Sequence, residues 1–334
     1  MKAIYLEDIN KPFVLIDKEK PTAGPGEAIV QVKAAALNHR DVWIQQGRYF
    51  IKDYPAILGS DAAGMVSEVG AGVDKNWLGQ QVILDPSSDW GDNPKVQSKE
   101  FKVLGMPQDG AFQEYVKISA DNLHKMPVHL SFDEAAALPL AGVTAYRTLF
   151  TKCELQQGER VLITGAGGGV ALFAIQFAVA AGAEVWVTSG AEEKIEKAKA
   201  LGARGGINYK TEDWGKKLKE QARGFDVIID SAAGEGFVQL VKLSKPGARI
   251  GMYGGTTGAI GKINPAELFW KQLSIHGSTM GTAEDFAVMV AFVQKHQVKP
   301  VVDVVFPLDE TEQAMRYMEA GKQFGKIVIK VGEQ

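Results

Sequence analysis

One stretch restricts the fold more than any other: Val161-Leu162-Ile163-Thr164-Gly165-Ala166-Gly167-Gly168-Gly169-Val170-Ala171. An apolar strand runs into a glycine run, which opens an apolar helix. A helix N-terminus offers unpaired N–H groups and the positive end of its dipole, and glycine lets backbone approach a pyrophosphate. The strict G-x-G-x-x-G pattern is not met; the best register is Ala166-x-Gly168-x-x-Ala171. Alanine is tolerated at the third position and is a departure at the first. The candidate cofactor contacts here are Ala166, Gly168, Gly169 and Val170. A tight turn without ligand has the same local pattern, so the surroundings decide.

Those surroundings favour a dinucleotide site. Ser131-Phe132-Asp133-Glu134 is a capping box opening a helix. Short apolar strands then alternate with helices: Arg160–Ile163, Glu184–Val187, Phe225–Ile229 and Gly247–Gly251, with helices over Val170–Ala181 and Glu192–Leu201. That order predicts a parallel sheet covered on both faces. Before residue 120 the texture differs. Ala28–Val32, Gly64–Val69 and Gln81–Leu84 alternate apolar and polar residues, the period of half-buried strands in an antiparallel, barrel-like module. Ser87–Gln97 reads as the longest loop. Val301–Phe306, a helix over Asp309–Ala320 and Lys326–Lys330 close the chain as strand, helix, strand.

Length and composition set the outer limits. The 334 residues suggest two domains, and 37 glycines exceed the usual ~7%. A net charge of −3 excludes a strongly basic nucleic-acid binder. One cysteine, Cys153, excludes an internal disulfide and a cysteine-rich zinc lobe, and reads as a buried thiol. No apolar leader follows Met1-Lys2-Ala3-Ile4-Tyr5. The apolar run from Val170 to Ala183 is too short for a span of ~20 residues. A cytoplasmic protein with a small-molecule substrate, and with neither nucleic acid nor membrane as partner, is expected.

The second strand speaks to which dinucleotide. NAD-binding folds commonly end it with an acid that holds the ribose 2′-hydroxyl. Here Ser189 stands in that place. A small hydroxyl can donate to a 2′-phosphate, Lys194 lies one turn on, and Tyr209 could add a phenolic donor. NADPH is expected. Lys194 also fits a solvated helix face with i,i+4 charge pairs, and that alternative stays open.

The chain resembles the medium-chain dehydrogenase/reductase superfamily. The resemblance rests on Gly165–Ala171, Ala181-Gly182-Ala183, Ala200–Ala203 and Ile207-Asn208-Tyr209 in one half. In the other it rests on Leu37–Asp41, Gly59–Gly64, Gly110–Val116, Thr144-Ala145-Tyr146 and Gly325–Val328. It is nearest to the zinc-independent quinone oxidoreductase branch and to bacterial zinc-type alcohol dehydrogenase-like proteins. It implies an α/β chain with a GroES-like β-barrel catalytic domain at 1–120 and 299–334. It also implies a Rossmann doubly wound parallel sheet at 121–298, and homodimers or homotetramers. Zinc-dependent relatives carry a cysteine near Asn38 and a histidine where Ser60 stands. The five histidines show no close-spaced ligand pair, and His39 with Asp61 is the one remnant, so no metal is expected. Asn38 and Tyr49 are the candidate catalytic residues, Tyr49 either donating a proton or lining the cleft. Thr144, Gly254, Ser278, Thr279 and Met280 are further cofactor candidates, the last four from strand ends. Phe269 and Trp270 are expected in the core or lining a cleft. The expected activity is NADPH-dependent hydride transfer to a quinone or α,β-unsaturated carbonyl without zinc. The alternatives are a zinc-dependent alcohol dehydrogenase and an NADPH-binding protein without turnover.

Overall fold

A computed structural model describes residues 1–49 and 54–332. The chain divides into two units, Met1–Ala141 with Thr282–Gln334, and Gly142–Gly281.

In the first unit a seven-stranded sheet runs in the order Val302–Pro307, Lys326–Lys330, Glu27–Ala36, Asp61–Val69, Gln81–Leu84, Leu123–Lys125. Tyr115–Ser119 pairs with the first half of Glu27–Ala36, and Lys326–Lys330 pairs with its last three residues. All pairings are antiparallel except that of Val302–Pro307 with Lys326–Lys330. The alternating pattern places Val30, Val32, Val66, Val82 and Ile329 in one buried core with Phe112 and Met315. Gly64 permits a close strand approach: a methyl there would lie 2.1 Å from the Gln31 carbonyl oxygen.

The second unit holds six parallel strands, ordered Gly205–Asn208, Glu184–Ser189, Arg160–Ile163, Phe225–Asp230, Ser244–Met252, Ser274–Gly277. In chain order that is 3-2-1-4-5-6. The direction of winding reverses between Arg160–Ile163 and Phe225–Asp230, and their carboxyl ends are where such sheets bind ligands. Leu162, Phe225, Ile228, Phe237 and Ile250 form the core on one face.

The cuts fall at 141 and 281, whereas the sequence reading places them at 120 and 298. Non-local pairing accounts for the difference. Leu123–Lys125 is a strand of the first sheet. Phe286, on the helix Ala283–His296, packs its ring 4.7 Å from that of His124. Gln294 accepts the Val128 N–H at 3.1 Å, and His129 Nε2 lies 3.0 Å from the Val298 carbonyl. The capping box at Ser131 is present as read. Phe269 and Trp270 are 61% and 79% exposed, on and just after the short helix Pro265–Phe269, so of the two expectations the core placement fails. Among the described residues no helix is long and apolar enough to cross a membrane.

Candidate active site

In the first unit Asn38 precedes the helix His39–Gln45, and the Asp41 carboxylate accepts its backbone N–H at 2.8 Å. Its amide is held from two directions. Lys326 Nζ donates to Asn38 Oδ1 at 2.8 Å, and Asn38 Nδ2 donates to Asp61 Oδ2 at 3.0 Å. Lys326 Nζ also donates to Asp61 Oδ2, at 2.9 Å, and the other Asp61 oxygen accepts the Leu140 N–H at 2.8 Å. All three side chains are buried. This closed set has one consequence for chemistry. With Oδ1 held toward an ammonium and one Nδ2 hydrogen given to Asp61, the second Nδ2 hydrogen remains for a ligand to accept. Burial and the Arg40 charge act in opposition on Asp41, and burial prevails, holding its carboxyl at about 6.

Ser60, where zinc-dependent relatives carry histidine, is fully buried and donates to the Leu104 carbonyl at 2.8 Å; its hydroxyl also receives a short hydrogen bond from Arg40. His39 is exposed beside Trp43 and is not among the groups bonded to Asp61. Tyr49 is 44% exposed, its ring centroid 5.7 Å from the Arg40 guanidinium carbon.

In the second unit the glycine loop lies at the carboxyl end of Arg160–Ile163, and Gly168 caps the helix Gly169–Ala180. Gly167 has φ of +126°, and a methyl there would lie 2.8 Å from Lys194 Cδ and 3.4 Å from its ammonium nitrogen. Lys194 is thus laid against the loop rather than pointing only to solvent. A methyl at Gly190 would meet the Tyr209 hydroxyl at 2.7 Å and Lys210 Cε at 3.1 Å. Lys210 was not foreseen, although it follows Tyr209 directly. Ser189 corrects an expectation. It is buried, and its O–H donates to the Ala166 carbonyl at 3.1 Å, so that hydrogen is not available to a phosphate. Ser189 braces the loop, and Tyr209 and Lys210 stand at the Gly190 bend.

A second brace escaped the sequence reading. Thr164 Oγ1 donates to Asp230 Oδ1 at 2.7 Å and accepts the Ser231 N–H at 3.2 Å, joining the two strands at the winding reversal. Gly254 lies just beyond Ser244–Met252, and Ser278, Thr279 and Met280 just beyond Ser274–Gly277. The Ser278 N–H donates to the Met252 carbonyl at 2.8 Å, while its buried Oγ has no hydrogen-bond partner among the described residues. Met280 holds φ of +47° and is buried; Thr279 is exposed. Thr144 is buried on the helix Pro139–Tyr146, its carbonyl accepting from Thr148 Oγ1 at 2.6 Å. Cys153 is fully buried, and burial pushes its thiol up to about 12, as suits an inert core thiol.

Two family profiles cover the two halves: "Alcohol dehydrogenase GroES-like domain" over residues 24–128 and "Zinc-binding dehydrogenase" over residues 169–295. The chain is 35% identical to the zinc-type alcohol dehydrogenase-like protein YogA of Leptosphaeria maculans, covering 96% of this chain and 95% of that one. The chain belongs to the medium-chain dehydrogenase/reductase superfamily. Quinone oxidoreductase of Rattus norvegicus is 31% identical over 98% of this chain and 97% of its own. A crystal structure of an NAD-dependent alcohol dehydrogenase superposes with a TM-score of 0.94, at 35% identity, covering 99% of this chain and all of that one (100%).

The name of one profile raises zinc, and the residues present do not fit that ion. A zinc site of this kind needs about three N, S or O ligands around an open position. Here Asn38 and Asp61 are engaged by the Lys326 ammonium, whose charge opposes a second cation. Among the described residues no group of three or more His, Cys, Asp or Glu stands together to hold a metal.

Proposed function

We propose that this oxidoreductase-family chain is an NADPH-dependent reductase of quinones or α,β-unsaturated carbonyls that needs no zinc. The observation that carries the reading is the Asn38–Asp61–Lys326 set, a fixed positive charge and a fixed amide donor. NADPH supplies the hydride when bound. The glycine loop, with Gly168 and Gly169 at the helix start, would take its pyrophosphate. Lys194, Tyr209 and Lys210 would take its 2′-phosphate, as no acid stands at Ser189 to repel one.

Reduction of an electron-poor acceptor places negative charge on a carbonyl oxygen. The free Nδ2 hydrogen of Asn38 is a preorganised donor for that oxygen, held by Asp61 and Lys326 so that no reorientation is needed. The Tyr49 phenol is exposed enough to reach a substrate and give a proton. Alcohol oxidation without a Lewis acid would lack the group that lowers the alcohol's pKa.

Purified protein tests this directly. NADPH oxidation is followed over a panel of quinones and enones, with metal content measured on the same sample. Turnover at zinc well below one per chain supports the reading; turnover only of alcohols, with bound zinc, overturns it. The names of relatives favour a second reading, since 30%-identical and 31%-identical proteins are named alcohol dehydrogenases, NAD-dependent in one case. Tight NADPH binding with no consumption across the panel would indicate a non-enzymatic role. We place the protein in the cytoplasm as a homodimer or homotetramer, for which the edge strand Ser274–Gly277 with exposed Ile275 offers a pairing surface. Sedimentation measures that state.

A further inference from the structure

We propose that a cavity beside Arg40 is a carboxylate subsite, so that the preferred acceptor is an enone or quinone-like compound carrying an acid group. The inference rests on the reductase reading for the reacting group, and on the cavity alone for the acid.

Arg40 is 9% exposed. A buried guanidinium is costly unless a counter-charge or a full set of acceptors meets it. Here both acceptors are neutral: Nη1 donates to Ser60 Oγ and, at 3.1 Å, to the Leu104 carbonyl. Nε is buried, without a partner among the described residues. Among the described residues no carboxylate forms an ion pair with Arg40. Asp41, next in the chain, acts on it only at longer range and already accepts the Asn38 N–H.

This guanidinium lines a cavity of about 380 Å³ with Tyr49, Ile57, Phe101, Lys102 and Met106. Such a volume lies within the range of small-molecule sites. Among the described residues, the other charges on its wall are committed elsewhere: Lys102 pairs with Asp89 at 2.8 Å, and Asp109 pairs with Lys18. Among the described residues the cavity therefore presents one cation without an ion pair, amid apolar and aromatic groups. A monoanion on a short carbon skeleton matches that wall, whereas a phosphate dianion would be under-neutralised and would face Asp109. A guanidinium gives a charge-assisted hydrogen bond to a carboxylate oxygen.

Arg40 stands two residues after Asn38, and the Ser60 that it holds precedes Asp61. Tyr49 belongs to the cavity wall itself, so an acceptor anchored by its acid would meet the phenol proposed as proton source.

The test compares (E)-4-oxopent-2-enoate, its methyl ester and pent-3-en-2-one as acceptors with NADPH. The acid should show kcat/KM at least ~tenfold above the ester, the worth of one charge-assisted contact. Calorimetry with the unreactive keto acid 4-oxopentanoate supplies a readout independent of turnover. Binding should be measurable in the natural protein, weakened in Arg40→Lys, and lost in Arg40→Met. The comparison of acid with ester needs no variant and survives if Arg40→Met fails to fold. Equal use of acid and ester, or no binding of 4-oxopentanoate, overturns the subsite. Arg40-dependent binding of 4-oxopentanoate without reduction of any acceptor supports the subsite and removes the reductase reading.

Discussion

The Lys326 ammonium lies 2.9 Å from the Asp61 carboxylate, both side chains buried and 265 residues apart in the chain. Removing one partner leaves a buried charge uncompensated, which costs about 3–5 kcal/mol. Lys326→Met and Asp61→Asn are each expected to lower unfolding free energy by roughly that amount in urea titrations. The double variant should recover part of the loss. Strictly additive losses would show that the pair does not act as a unit.

On the proposed reading, cofactor choice is set at the Gly190 bend. NADPH should bind at least ~tenfold more tightly than NADH in fluorescence titrations, about 1.4 kcal/mol. Lys194→Ala should narrow that preference while leaving NADH affinity nearly unchanged. An equal loss for both cofactors would place Lys194 at the pyrophosphate rather than the 2′-phosphate.

Tyr49→Phe removes one hydroxyl and keeps the ring against Arg40. If the phenol gives the proton, kcat should fall by ~10²-fold or more with little change in KM. A rise in KM at constant kcat would mean that Tyr49 only lines the cavity.

Asp85 yields a pH dependence. It is buried, and burial pushes its carboxyl up to about 7, with the Asp285 charge adding to the rise. The folded state thus keeps a proton that the unfolded chain loses near pH 4. Stability from this group is full below that pH and is lost as pH rises toward about 7. Asp85→Asn keeps an oxygen to accept the Ser87 N–H, bonded at 2.9 Å, and should flatten that decline and raise stability at pH 8. Urea midpoints from pH 4 to 8 measure it.

What could be read in advance was what local pattern encodes. The glycine loop, the parallel strands and the Ser131 cap declare themselves through periodicity and through the residues that a helix start requires. Leu123–Lys125 and Ala283–His296 did not, because their allegiance is set by partners such as Gln81–Leu84 and His124. Asn38 was legible through resemblance, but the ammonium that turns its amide was not, since Lys326 is 288 residues distant. The lack of an acid at Ser189 is legible, yet the direction of its hydroxyl depends on the Ala166 carbonyl, which no spacing reveals. Arg40 looked like one more residue of a motif; only its burial among neutral acceptors marks it.

Strand Lys326–Lys330 lies between Val302–Pro307 and Glu27–Ala36, inside its sheet rather than at an edge. During synthesis the parallel-stranded unit is whole once residue 281 has emerged, and units of this kind can fold as they emerge. The barrel unit has no such opportunity. Its early strands must wait, with Asp61 and Asn38 lacking their cation, until the ribosome has delivered Lys326. A stalled or proteolysed nascent chain would therefore release an intact nucleotide-binding half with no competent chemistry attached.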